Sequence, residues 1–486
     1  MSDFNNDEYL KGQVKKQVEE EVISPCKLVI NVPEVENRYK LIDETVESLQ
    51  EKVKYGILTY EDIMVYYIDR INHHLHLNAL IELNQNALTE AKNKYYDPDH
   101  DILYGIPILV KCNIGTDGMK TSAGAAVLKD LKISDSEIIK QLKNKGAIIL
   151  GKTNLSEWAN FMSTSSSNGY SALGGQTHNP YGTFDVGGSS SGSAVAIACQ
   201  LAPLAIGTET AGSIIYPASQ NSVVGLKPTL GLVSQDKIIP ISKNHDTAGP
   251  MTRTVKDCYY LLRGIAEVRN AVFKDNLKDI SIGIITNEAV VTYYRKGDEI
   301  ILNQCITDLE SLGAKVSTVD LDENAFETKV YDILKYEFRE GVKKYLSLSD
   351  YQVKTLGDIL AFNKKNMSNY APYNHEIIKQ AYEEFYDEEV INTQILENRK
   401  LTQNALEKAL RKYDILLSLS NYSTSVYAPA GYPALCIPAG YRVTGEPLGI
   451  TMIAKANEDV KLLEFAYAYE KKVNRYNPKE SENEKS

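Results

Sequence analysis

Short apolar runs bounded by glycine or proline recur along this chain, and they constrain its fold more than any other feature. They are YGIPILV (residues 104–110), GAIILG (146–151), VVGLKP (223–228), ISIGIIT (280–286) and PLGITMIA (447–454). Runs of this length and punctuation read as strands buried on both faces. Between them the pattern changes to a helical period. Helical spacing begins near Asp43, breaks at Gly56 and resumes in TYEDIMVYYIDRINHHL, where Ile63, Tyr66, Tyr67 and Ile71 recur on one face and Thr59 suits an N-cap. In GDEIILNQCITDLESLGAKVSTVDL, Leu302, Ile306 and Leu309 form a stripe, Gly313 ends the helix and a strand follows. This alternation predicts an α/β sheet with helices on its faces.

Residues 326–413 carry longer, more charged helical segments without strand signals and read as a helical excursion over one side of the core. No linker composition or internal repeat divides the chain, so one large domain is expected over 41–475. It lies between a charged N-terminal extension (1–40) and a solvated tail (476–486), both peripheral. With 486 residues, 43% of them hydrophobic, such a domain can bury a large core. The net charge of −11 argues against an electrostatic grip on nucleic acid. The six cysteines are scattered with no CxxC pair, as for buried thiols in a reducing compartment, so a cytoplasmic location is expected. The first 25 residues contain no apolar core of a secretory signal. The longest apolar run, Ala194–Ile206, is too short for a bilayer and is interrupted by Gln200 and Pro203, so no membrane association is expected.

The run GGSSSGS, starting at Gly187, would be a flexible linker in most settings. Here it enters SAVAIACQLA, a helix pattern, and a glycine-rich turn at a helix N-terminus suits an anion or a reactive hydroxyl. No GK[ST] follows, so it is not a phosphate-binding loop of the Walker type. GSSSG (188–192) matches the nucleophile elbow GxSxG, with Ser190 as nucleophile. That reading needs a later histidine, and only His245 and His375 follow. His73, His74 and His76 decorate a helix end, and no metal site is expected. A second small-residue turn, TETAGSI, carries Ser213 after Ala211 and Gly212, where successive N–H groups could hold an oxyanion. Lys111 closes the apolar run GIPILVK, where partial desolvation would push its pKa down.

Taken together, GIPILVKCNI, GGSSSGSAVA, GTETAGSIIYPAS and VVGLKPTLGLVS resemble, in order and spacing, the amidase signature family. The likeness extends through LNALIELNQNAL, GKTNLSEWANF, DTAGPMTRTVKD, AGYPALCIPAGY and LLEFAYAYEK, nearly all of the chain after about residue 40. The resemblance implies a single large domain with a mixed, twisted central sheet covered by helices. It also implies an amidase that needs no metal or organic cofactor and acts on a small-molecule or peptide amide. It places the family's lysine on Lys111, its bridging serine on Ser189 after a cis bond from Gly188, and its acylated serine on Ser213. Oxyanion donors fall on the N–H groups of Thr210, Ala211, Gly212 and Ser213, and Ser190 becomes a supporting hydroxyl.

Three residues depart from the common pattern. Cys112 stands where many members have Asp, Ile215 replaces an Arg that usually follows GSI, and Ala211 replaces Gly or Asp. The wording GSIIYPA and HDTAGP follows stand-alone members more closely than the A subunits of tRNA-dependent amidotransferases, which form the main alternative. A histidine-dependent hydrolase using Ser190 and a catalytically silent scaffold are the others. The substrate pocket is expected between the helical excursion and NFMSTSSSNGYS (160–171); the preferred amide and the oligomeric state are not specified by these residues.

Overall fold

In a computed structural model, which describes residues 28–32 and 41–473, the apolar runs join one eleven-stranded mixed sheet. The strands in chain order are β1 (Leu80–Leu83), β2 (Pro107–Lys111), β3 (Ile148–Thr153), β4 (Tyr170–Ser171), β5 (Gly175–Gln176), β6 (Leu204–Glu209), β7 (Val224–Lys227), β8 (Thr247–Thr252), β9 (Ser281–Ile285), β10 (Lys315–Val319), β11 (Ile415–Leu419), β12 (Ala434–Tyr441) and β13 (Pro447–Ile453). β4 and β5 pair only with each other, and the rest run β1-β3-β2-β6-β8-β7-β12-β13-β11-β9-β10 across the sheet. β2 is parallel to both β3 and β6, and β9 is parallel to β10 and β11. From β6 through β8, β7, β12 and β13 to β11 every pairing is antiparallel. Parallel β2 and β6 therefore end side by side, and the carboxyl ends of such strands are where open α/β sheets present their ligand crevices.

All five predicted runs are strands, and the strand expected after Gly313 is β10. β8 carries no strand signal in the sequence, because TAGPMT includes a glycine and a proline. The sheet tolerates Pro250 because β7 meets β8 only at Met251 and Thr252. Helices Val46–Lys54 and Tyr60–His73 both open with capping boxes, on Thr45 and Thr59, the second at the predicted N-cap. Helix Ser191–Ala198, which follows the serine run, is buried at every residue.

The helical excursion contains Tyr331–Leu346, Leu356–Asn363, Met367–Tyr370, Glu376–Glu383 and Glu388–Leu410. It shares a second core with residues 123–162 and 239–241, in which Phe338 packs edge-on against Trp158 and Phe161 with ring centroids 6.0 and 5.2 Å away. Burying one such ring contributes roughly 1.5–3 kcal/mol, which fastens the excursion over the segment that follows β3. Ile30 is buried against the main core and its carbonyl accepts from Asn72 Nδ2 at 3.0 Å. The rest of the expected N-terminal extension, the tail 476–486 and Cys26 lie outside the described residues. The other five cysteines are buried, and among the described residues no disulfide joins them.

Candidate active site

Lys111 is the last residue of β2 and is fully buried. Its Nζ lies 2.7 Å from Ser189 Oγ, 3.0 Å from Ser190 Oγ, 2.9 Å from Thr208 Oγ1 and 3.2 Å from the Thr208 carbonyl. Thr208 belongs to the neighbouring parallel strand, so the β2–β6 pairing brings the lysine to that end of the sheet. Burial pushes the Lys111 pKa down to about 7, against the opposing pull of Asp246 and Glu209. The amine and ammonium forms are thus both accessible near neutrality.

The serine run turns sharply to enter its helix. The Gly188–Ser189 peptide bond is cis, and Gly187 has φ +69°, where a Cβ would come within 2.6 Å of the Pro217 backbone. Ser190 caps the helix and its hydroxyl is fully engaged. Ser190 Oγ accepts the Thr208 N–H at 3.1 Å and the lysine at 3.0 Å, and donates to the Thr208 carbonyl at 3.0 Å.

The second turn follows β6. Its Ser213 carbonyl accepts the Ser190 N–H at 3.1 Å, which seats the turn on the serine loop. Ser213 itself is half-buried. Among the described residues its hydroxyl makes no hydrogen bond, with Ser189 or any other side chain, and the N–H groups of Thr210, Ala211, Gly212 and Ser213 have no acceptor. The backbone is held from outside the turn. Buried Glu209 accepts the N–H groups of Ile214 and Ile215 at 2.7 and 2.9 Å, and the Tyr427 hydroxyl at 3.1 Å. Thr210 Oγ1 donates to Asp246 at 2.6 Å, and Asp246 also takes the Ile241 and Ser242 N–H groups. Burial pushes the Asp246 pKa up to about 6.

A buried lysine amine, two serine hydroxyls and a cluster of N–H groups without acceptors among the described residues therefore share one end of the sheet. The family model described as Amidase matches residues 62–424. The chain belongs to the amidase family. It is by class a hydrolase of linear amide carbon–nitrogen bonds. A probable amidase from Arabidopsis thaliana is 32% identical over 89% of this chain and 90% of its own length. The A subunit of glutamyl-tRNA(Gln) amidotransferase from Alkaliphilus metalliredigens is 30% identical over 89% of this chain and 97% of its own. The crystal structure of native peptide amidase from Stenotrophomonas maltophilia superimposes with a TM-score of 0.84, at 35% identity, over 90% of this chain and 99% of that one.

Within this amidase the three departures from the common pattern have local explanations. Ala211 is exposed and keeps an ordinary backbone, because the positive φ of +87° falls on Gly212 instead. Cys112 is buried, with its Sγ 3.3 Å from Ser122 Oγ, and its N–H binds the Thr153 carbonyl of β3. Ile215 is buried, and a tie to the serine loop comes from the next residue. Tyr216 donates its hydroxyl to Asp185 at 3.0 Å, and Asp185 accepts the Gly187 N–H at 2.8 Å and the Asn168 amide at 3.0 Å.

The histidines bond elsewhere. His245 Nδ1 pairs with Ser242 at 2.9 Å, with its pKa pushed down to about 4 by burial, and His375 pairs with Asn363. Neither bonds a serine of the two turns. Sequence patterns alone do not single out Thr208, Glu209, Asp246, Asp185 or Tyr216. A signal exists for Glu209, an acidic residue closing an apolar run just before a helix.

Glu209→Gln is expected to lower kcat about 10- to 100-fold with KM little changed, since the carboxylate orients the turn whose N–H groups are left free to meet a charged oxygen. A raised KM at unchanged kcat would instead make Glu209 a substrate-binding group.

Proposed function

We propose that this amidase hydrolyses a carboxamide to carboxylate plus ammonia or amine through an acyl-enzyme on Ser213, with Ser189 as the proton shuttle and Lys111 as the base. The observation that supports this most directly is the buried Lys111 Nζ 2.7 Å from Ser189 Oγ, with no carboxylate among the described residues hydrogen-bonded to it. Neutral Lys111 takes the Ser189 proton as Ser189 takes that of Ser213, and Ser213 attacks the amide carbon. The tetrahedral oxygen meets the N–H groups of Thr210 to Ser213. The proton then returns through Ser189 to the leaving nitrogen, which would otherwise be expelled as an unstable amide anion. Water attacks the acyl-enzyme by the same relay in reverse and releases the acid. Ser190 supports the relay from its place between Lys111 and Thr208.

Activity should follow a rising limb centred near pH 7 as the Lys111 ammonium loses its proton. The sign is fixed by the base role: below the limb the lysine is charged and cannot accept, above it the amine is free. A kcat/KM profile flat between about pH 6 and pH 8 would remove Lys111 from that role.

The A subunit of an amidotransferase is the second reading, supported by the relative from Alkaliphilus metalliredigens. Against it stand GSIIYPA in place of GSIRQPA and HDTAGP in place of a sequence with DQ. Purified chain, alone, tested on aliphatic, aromatic and peptide amides by ammonia release decides between them. We expect turnover without partner subunits; activity only after other subunits and a charged tRNA are added would select the second reading. Among the described residues no helix is long and apolar enough to cross a membrane. We place the enzyme in the cytoplasm on its scattered cysteines.

A further inference from the structure

The loop that leaves β11 meets the Ser213 turn at two places. The Tyr427 hydroxyl donates to Glu209 at 3.1 Å, and Asn421 sits beside Gly212, the residue before Ser213. A Cβ on Gly212 would come within 2.9 Å of Asn421 Nδ2, so the amide occupies the space that a side chain at 212 would take. Asn421 is half-buried, and among the described residues its Nδ2 donates to nothing. Its Oδ1 is met by the Ser420 hydroxyl at 3.4 Å.

The backbone that presents this amide is fastened on both sides. Ser420 holds a left-handed conformation, φ +45°; its N–H bonds the Gly449 carbonyl at 2.8 Å and its own carbonyl accepts the Thr451 hydroxyl. The Asn421 carbonyl takes the Thr424 N–H at 3.0 Å, at the start of helix Thr424–Ala430. Serine seldom adopts that conformation, and such departures gather where a side chain has to be aimed. An amide held in place with its hydrogens unspent is preorganised for a ligand.

The acceptor that suits it is not the reacting oxygen. In the mechanism proposed above that oxygen meets the N–H groups of Thr210 to Ser213, and a carbonyl oxygen has only two lone pairs to offer them. The further amide hydrogens of Asn421, beside the same turn, therefore call for a second acceptor carried by the substrate. Where ammonia leaves, that acceptor has to sit in the acyl part. An N-acylated amino acid amide brings a second carbonyl there; a plain aliphatic or aromatic amide does not. We propose that Asn421 is a substrate-binding residue that donates from Nδ2 to a second carbonyl oxygen on the acyl side of the scissile amide, and so selects N-acylated amino acid amides. The inference rests on the Ser213 acyl-enzyme reading.

The test pairs two primary amides that differ by one acetamido group, N-acetylphenylalaninamide and 3-phenylpropanamide, with ammonia release followed on the full chain. The parent should favour the first in kcat/KM by about tenfold or more. Asn421→Leu should cut that preference roughly tenfold, mainly through KM, as for one lost hydrogen bond. Asn421→Asp keeps the shape but has no amide hydrogen to give, and should cut it as much or more. Labelling of Ser213 by a fluorophosphonate, a probe without a second carbonyl, should stay within about threefold of the parent in both variants, because the turn and the relay are intact.

A parent that treats the two amides alike, turning over neither included, overturns the proposal. So does a preference that survives in Asn421→Leu, or one kept in Asn421→Asp, which would mean that the amide oxygen faces the substrate. Equal loss on both amides with labelling slowed about tenfold would assign Asn421 to the reacting oxygen instead. Should the leucine variant not fold, the same ratio in Asn421→Asp decides. A parent that fails to label on Ser213 would sink the acyl-enzyme reading itself, an outcome distinct from all of these.

Discussion

Lys111→Met is expected to lower amide hydrolysis by about 10³-fold near neutral pH, within the range that a positioned general base contributes. Methionine keeps most of the volume of the lysine stem and removes the amine. The groups left behind retain partners among themselves. Ser190 Oγ still accepts the Thr208 N–H and donates to its carbonyl, and Thr208 Oγ1 keeps the Asn113 amide. The serine loop should therefore stay folded while Ser189 loses its proton acceptor. Neither later histidine is free to stand in, since His245 and His375 are bonded to Ser242 and Asn363. The check is ammonia release on an amide taken from the substrate screen, with thermal unfolding measured on the same sample. A folded variant that kept more than about a tenth of the parental rate would make Lys111 a structural lysine.

That structural alternative has two counterparts in the same molecule. Lys152 and Lys227 are also fully buried, and burial pushes both pKa values down to about 8. Lys152 Nζ binds the Ile114 carbonyl and two threonine hydroxyls, and Lys227 Nζ binds the Pro228 and Tyr432 carbonyls. Their partners close loops, and neither touches a serine. Lys111 differs in having two serine hydroxyls among its partners, one of them beside the half-buried turn that carries Ser213. A lowered pKa alone would not separate the three; the identity of the surrounding oxygens does.

What could be read from the sequence followed the range of the interactions concerned. β2, β3, β7, β9 and β13 were legible because a strand buried on both faces is a short apolar run whatever surrounds it. The excursion 326–413 was legible because its helices carry their own period. Lys111 and Ser213 stood out because each closes or occupies a local pattern, whereas the local pattern of the serine run pointed to Ser190 and Ser189 came only through the family resemblance. Asn113, Thr208 and Asp246 gave no such sign. Asn113 meets Thr208 only because β2 and β6 lie parallel, and Thr210 meets Asp246 only because β8 folds back on β6. The same holds for Tyr216 and Asp185, which join the second turn to the serine loop through a phenol–carboxylate bond. Such contacts join residues tens of positions apart and leave no periodicity or spacing along the chain.

A fluorophosphonate is expected to label this protein on Ser213 and nowhere else, and Ser213→Ala to abolish the labelling. Two serines compete for that assignment, and their surroundings differ in the property that matters. A nucleophile needs a hydroxyl free to be deprotonated and a place for the charge that develops on the adduct oxygen. Ser190 Oγ has neither, being fully buried and held by Lys111 and by both backbone groups of Thr208. Attack from it would break those bonds. The Ser213 hydroxyl is half-buried, makes no bond among the described residues, and stands on the turn that carries those N–H groups. Ser190→Ala should therefore slow labelling about 10- to 100-fold by loosening the lysine, without moving the label. His245→Ala and His375→Ala should leave the labelling rate within about threefold of the parent, because a lysine relay has no step for imidazole. Peptide mapping of the labelled chain reads the answer directly. Label on the peptide containing Ser190 but not Ser213, or labelling lost with either histidine, would reinstate the nucleophile-elbow chemistry and remove the Ser213 acyl-enzyme from this protein.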